Sequence, residues 1–155
     1  MEITSPARSV IEPALRQRRA LLIGANDFEG AERAEQDLET LSQAPGKDLY
    51  EMHRLASEHG RGIPPGYSFD VYLGRSNVYP TACLGVVAGA LCTAASVIVP
   101  GLPLATWAGV GMMALSAGAL AVGALRYQRA ARAHRILDAI ERNQDHIRGY
   151  VPSTR

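Results

Sequence analysis

From Ser76 to Leu125 the chain runs fifty residues without a Lys, Arg, Asp, Glu or His. On either side of this stretch, apolar and polar positions interleave at helical spacing. Inside it, only small hydroxyls and one Asn interrupt the apolar run. Pro100-Gly101-Leu102-Pro103 divides it in two. Proline lacks an N–H and its ring clashes with the preceding turn, so this pair stops one helix and restarts another. The spans then run from about Val78 to Val99 and from about Leu104 to Leu125. Each has about 22 residues and reaches roughly 33 Å, enough for a hydrocarbon core of ~30 Å. A four-residue connection at 100–103 makes the two helices antiparallel neighbours. The fold class expected is all-α: a membrane helical hairpin of two transmembrane helices. The rival reading is the core of a soluble bundle. Covering fifty uncharged residues on every side would need far more amphipathic chain than the protein has.

Within the spans the residues are small rather than bulky. Projected at 100° per residue, Ala82, Gly85, Gly89, Thr93 and Ser96 fall within about an 80° sector of the first span. Gly111, Ala114, Gly118 and Ala121 form a similar stripe on the second. Gly85-x-x-x-Gly89 is a spacing that lets backbones approach closely in lipid. These nine residues are the expected helix-packing positions. One stripe serves the partner within the hairpin, and surplus small positions serve other chains.

The flanks read as membrane interfaces. Arg75 precedes the first span, and Arg126, Arg129, Arg132 and Arg135 follow the second. Tyr79 and Tyr127 mark the same side, and Trp107 the far side near the turn. Positive charge next to a span stays in the cytoplasm, so a multi-pass protein with both termini cytoplasmic is expected.

Before the hairpin, residues 1–66 read as a cytoplasmic helical region. A first helix starts near Ser9, with Ser9 and Glu12 spaced as a capping box and Pro13 in the first turn. A second spans about Asp27 to Gln43, and its carboxylates Glu29, Glu32, Glu35, Asp37 and Glu39 read as a solvated face. A third spans about Asp48 to His59. Residues 67–77 read as an extended interfacial linker. After the hairpin, residues 126–155 form a basic amphipathic helix and tail, with a thin apolar seam at Ala133, Leu137, Ile140 and Ile147. That seam packs on the N-terminal helices or on another subunit.

Charge divides along the chain. Residues 1–76 carry 9 basic and 12 acidic side chains, and residues 126–155 carry 7 and 3. The net of +1 gives no reason to expect nucleic acid. The basic tail reads first as a collar of snorkelling side chains, with docking on the acidic front or on anionic headgroups as the alternatives. Cys83 and Cys92 both lie in the first span, nine residues and about 13 Å apart, too far to pair within one helix. No nucleotide loop, metal-binding Cys or His motif, or nucleophile elbow occurs. His53 and His59 are badly spaced for one metal ion. No charged residue lies within the spans, where a pump or selective transporter would need one. The expectation is therefore a protein that is not an enzyme, with no cofactor and no small-molecule substrate.

The order of parts, and the segment Gly123-Ala124-Leu125-Arg126-Tyr127-Gln128-Arg129-Ala130-Ala131-Arg132-Ala133-His134-Arg135-Ile136-Leu137 in particular, resembles the SLATT group of bacterial two-span effectors. The likeness covers roughly Tyr72 to Arg142. It implies action by assembling in, and permeabilising, a membrane. The paired apolar lobe also resembles host-membrane-inserting proteins exported by bacterial type III systems. The residues themselves favour a non-enzymatic membrane protein that assembles through small-residue faces as anchor or scaffold of a membrane complex. Its partners would be the lipid bilayer and either further copies of the chain or other subunits. A pore former and an exported effector are the alternatives.

Overall fold

The structure, a computed structural model, describes residues 6–98 and 103–150; of Val78, Tyr79 and residues 103–105 only the helical backbone is described. Six helices make up the described residues, with no strand: α1 (Arg8–Gly24), α2 (Phe28–Ser42), α3 (Leu49–Gly60), α4 (Phe69–Arg75), α5 (Val78–Ile98) and α6 (Pro103–Gly149). The protein is thus all-α, with two helices long and apolar enough to cross a membrane. The expected turn at Pro100 lies outside the described residues. The chain divides into two compact units: residues up to Gly62 together with those from Ala130 on, and Ile63–Arg129 between them.

In the first unit α1 and α2 pack as a helical hairpin. Asn26 turns the chain at φ 59°, in the left-handed region that Asn tolerates. Asp27 caps α2 by accepting the Gly30 N–H at 2.9 Å. A Cβ at position 30 would run into that same carboxylate, which would have to shift to admit it. Asp48 caps α3 by accepting from Glu51 N at 2.8 Å, and the Glu51 carboxylate reaches back to Lys47 N at 2.7 Å. Gly46 sits at φ +131°, and a Cβ there would come within 2.9 Å of the Met52 backbone.

α1 starts at Arg8, beside the expected Ser9, but with a different cap. Its N-cap is Ala7, with no side-chain cap, so Ser9 lies inside the helix and Pro13 is an internal residue. Arg8 N donates to Lys47 O at 3.0 Å and Leu49 N to Pro6 O at 3.2 Å. These two bonds pin the helix start against the α2–α3 connection and replace the Ser9 cap.

The core of this unit joins four helices. Ile11, Ala14 and Leu15 of α1, Leu41 of α2, and Leu49, Met52 and Ala56 of α3 meet Ala133, Ile136, Ala139, Ile140 and Ile147 of α6. The tail's seam therefore packs on the N-terminal helices. It is wider than expected, because Ile136 and Ala139 join it. One carboxylate departs from the solvated face: Asp37 is buried and bound by Arg142 and Asn143.

In the second unit the linker is helical rather than extended. Ser68 caps α4. Phe69 and Tyr72, three apart on one face, pack on Tyr127 with ring centroids 5.1 and 5.8 Å away. The Tyr127 hydroxyl donates to Tyr67 O at 2.8 Å. This aromatic cluster favours a helical turn, which brings both rings to one side, over a strand, which would alternate them.

Candidate functional site

The feature that marks this protein is the pair α5 and the first half of α6. Both are apolar nearly all round and long enough to cross a membrane. Only 11% of the apolar stretch of α5 and 17% of that of α6 is buried. Leu84, Leu91, Val97 and Ile98 on α5, and Trp107, Leu115 and Leu125 on α6, stand open to the surroundings. The core helix of a soluble bundle buries such side chains; these two bury mainly one narrow face each.

On α5 that face is the small-residue stripe. Ala82 is 2% exposed. A Cβ on Gly85 would run into the Ser116 hydroxyl, and one on Gly89 would lie 2.7 Å from Gly109 O and 2.8 Å from Met113 Cγ. Thr93 stands over Gly109, whose own added Cβ would lie 2.5 Å from Thr93 Oγ1. The Thr106 hydroxyl donates to Ser96 Oγ at 2.7 Å across the two helices. Gly85, Gly89, Thr93 and Ser96 thus all meet α6 within the chain.

On α6 the face is a different one. Gly111, Ala114, Gly118 and Ala121 are exposed, and nothing lies within 4 Å of a Cβ built on Gly111 or Gly118. The residues that meet α5 are Thr106, Gly109, Met113 and Ser116, spaced three, four and three apart. That spacing is the 3.5-residue repeat of two helices wound around each other. Leu120, Gly123 and Tyr127 continue it at four, three and four, half-buried or buried. Spacing alone does not single this seam out in the sequence, because Gly111, Ala114, Gly118 and Ala121 repeat at the same three, four and three.

The hydroxyls of the spans are engaged. Thr93 donates to Gly89 O at 2.8 Å, Ser96 to Thr93 O at 2.7 Å and Ser116 to Met112 O at 2.8 Å, and Thr81 bonds Asn77 O. Each satisfies itself on its own helix, as a hydroxyl must where water is scarce.

No family model matches the chain, and neither do curated proteins or solved structures.

Of the expected interface residues, Arg75 lies over the Tyr67 ring at 5.5 Å and bonds its hydroxyl. Tyr127 anchors the aromatic cluster. Arg126 and Arg129 are exposed on α6, as is Trp107 at the other end of the apolar segment. Arg132 and Arg135 are exposed in the first unit, where Arg132 donates to Gln43 Oε1 at 3.2 Å. The Tyr79 side chain lies outside the described residues. Free cysteines Cys83 and Cys92 sit on α5. Among the described residues no group of three or more His, Cys, Asp or Glu stands together to hold a metal ion.

Proposed function

We propose that this is a non-enzymatic, two-span integral membrane protein that assembles with further copies or with other membrane subunits, as an anchor or scaffold. The observation that carries the proposal is the outward exposure of α5 and α6: two adjacent helices of spanning length that leave most of their apolar surface uncovered. Holding that surface in water costs about 25 cal/mol per Å², and lipid removes the cost. The partner is thus first the bilayer itself.

Self-association belongs to the outward stripe of α6. The Gly85–Gly89 face is occupied within the hairpin, so it has no room for a second helix. Gly111, Ala114, Gly118 and Ala121 leave a smooth strip on which another helix backbone can approach closely. The likeness to the SLATT effectors enters on the same terms. The pore alternative draws less support, because the hydroxyls of the spans are used on their own helices and in the α5–α6 contact.

The test is Ala114→Leu with Gly118→Leu. We expect insertion to persist and the oligomer to fall to monomer in mild detergent, while Gly85→Leu alters the hairpin itself. An unchanged oligomer in the double variant would overturn assembly by this face. A native chain that washes from membranes with alkaline carbonate would overturn the integral membrane reading.

A further inference from the structure

In the second unit a groove of about 460 Å³ runs along the outward side of α6. Ala114 and Gly118 leave its floor low, Leu115 and Val122 raise its sides, and Tyr72 of α4 stands beside it. From Ala114 to Arg126 it covers thirteen residues, about 18 Å of helix. Its lining is apolar apart from Tyr72 and Arg126, and Arg126 is the last of the lining residues along α6. Among the described residues Arg126 has neither an ion-pair partner nor a side-chain hydrogen bond. Asp70 is the one acid in this unit, against Arg75, Arg126 and Arg129. The groove thus offers an apolar trough with an unneutralised cation at one end.

The geometry points to a bound anionic phospholipid, its phosphate on Arg126 beside Tyr72 and one acyl chain lying in the trough over Gly118 toward Ala114. A trough with one cationic end matches a molecule with one anionic head and an apolar tail. The lipid occupies this strip in the unassociated chain, and a second copy seating on Ala114 and Gly118 must displace it, since a symmetric partner also brings its own Arg126 to the same level. Arg also forms paired hydrogen bonds to phosphate, which a choline-capped neutral lipid leaves internally balanced. The assignment rests on the membrane reading of the hairpin and does not require that copies associate.

The test uses the full chain in vesicles of phosphatidylcholine and phosphatidylglycerol. Trp107 is the sole tryptophan, so Trp107→Phe with Leu115→Trp moves the reporter into the groove, at a position where the side chain is exposed. Bromine is placed on the acyl chains of one lipid at a time, at equal mole fraction. We expect brominated phosphatidylglycerol to quench at least twofold more than brominated phosphatidylcholine. Arg126→Gln should abolish that preference, and so should Ala119→Leu, which fills the trough without touching charge. Arg129→Gln, which removes the same charge outside the groove, should retain it. Equal quenching by both lipids, or equal loss in the Arg126 and Arg129 variants, would overturn the site while leaving insertion intact. Quenching by neither lipid would overturn insertion, and the site with it.

Discussion

Asn143 is the most confined polar residue of the first unit, fully buried in the α6 seam between Ile140 and Ile147. Its amide donates to Asp37 Oδ2 and to Ala139 O, both at 2.8 Å, and its Oδ1 accepts from Arg18 at 2.5 Å. Arg142 adds two bonds to Asp37, at 2.6 and 3.2 Å. The bond to Asp37 pushes the Arg142 guanidinium above its ordinary pKa, against an opposing desolvation. The two partners of Asp37 differ in weight. The Arg142 side chain is 52% exposed, so water screens that pair, and it contributes about 1 kcal/mol or less. Replacing the enclosed Asn143 removes buried polar partners and costs about 1–3 kcal/mol. Asn143→Leu should therefore destabilise the unit more than Arg142→Gln, read as faster amide exchange in α2 of the full chain in detergent. The opposite order would mean that the ion pair dominates. The position of Asp37 was legible in the sequence: it lies three residues after Ala34 and four before Leu41, on the apolar side of α2. Counting it among five neighbouring carboxylates hid that phase.

At the scale of elements, the long apolar helices were readable because fifty uncharged residues outweigh any local preference. The short ones were less so. α4 has only seven residues, and its helical state is supported by Tyr127, some fifty-eight positions from Phe69, which no local pattern reveals. The contact face of α6 was obscured for another reason. Two stripes with small residues run along it, and composition cannot rank them; the hydroxyl pair Thr106–Ser96 and the crossing at Gly89 and Gly109 select the one used. That crossing is tight enough to be tested directly. A side chain at position 89 would have to displace the Gly109 carbonyl, which is backbone and cannot rotate away. Overpacking of this kind costs about 1–3 kcal/mol. With the native cysteines replaced by alanine, Ser96→Cys and Thr106→Cys should oxidise readily to a disulfide, since the native hydroxyls already touch. Adding Gly89→Leu should slow that oxidation by about an order of magnitude, whereas Gly111→Leu, in open space, should leave it unchanged. Equal rates in all three chains would mean that the helices do not cross at Gly89.

For the whole molecule, connectivity constrains topology. The core of the first unit takes Ile11, Leu15, Leu41 and Met52 from before the apolar helices and Ile136, Ile140 and Ile147 from after them. One hydrophobic core forms in one aqueous compartment, so on the proposed membrane reading the chain would cross an even number of times between Gly60 and Ala133. Two helices of spanning length satisfy that count. The proposal reads the compartment from charge: Arg75 before α5, and Arg126 and Arg129 on α6, would hold both flanks in the cytoplasm, while the residues between α5 and α6 carry no charge to oppose export. The reading predicts a labelling pattern. In a chain without Cys83 and Cys92, single cysteines at Ser9→Cys and Gln144→Cys should resist a membrane-impermeant maleimide in intact cells and react once the membrane is opened. Gly101→Cys should react from outside. Labelling of only one of the two flanking sites in intact cells would require an odd number of crossings, and the shared core of the first unit could not then form. Labelling of both flanks but not of Gly101→Cys would keep the hairpin and reverse its orientation, placing the weight of charge elsewhere than on these arginines.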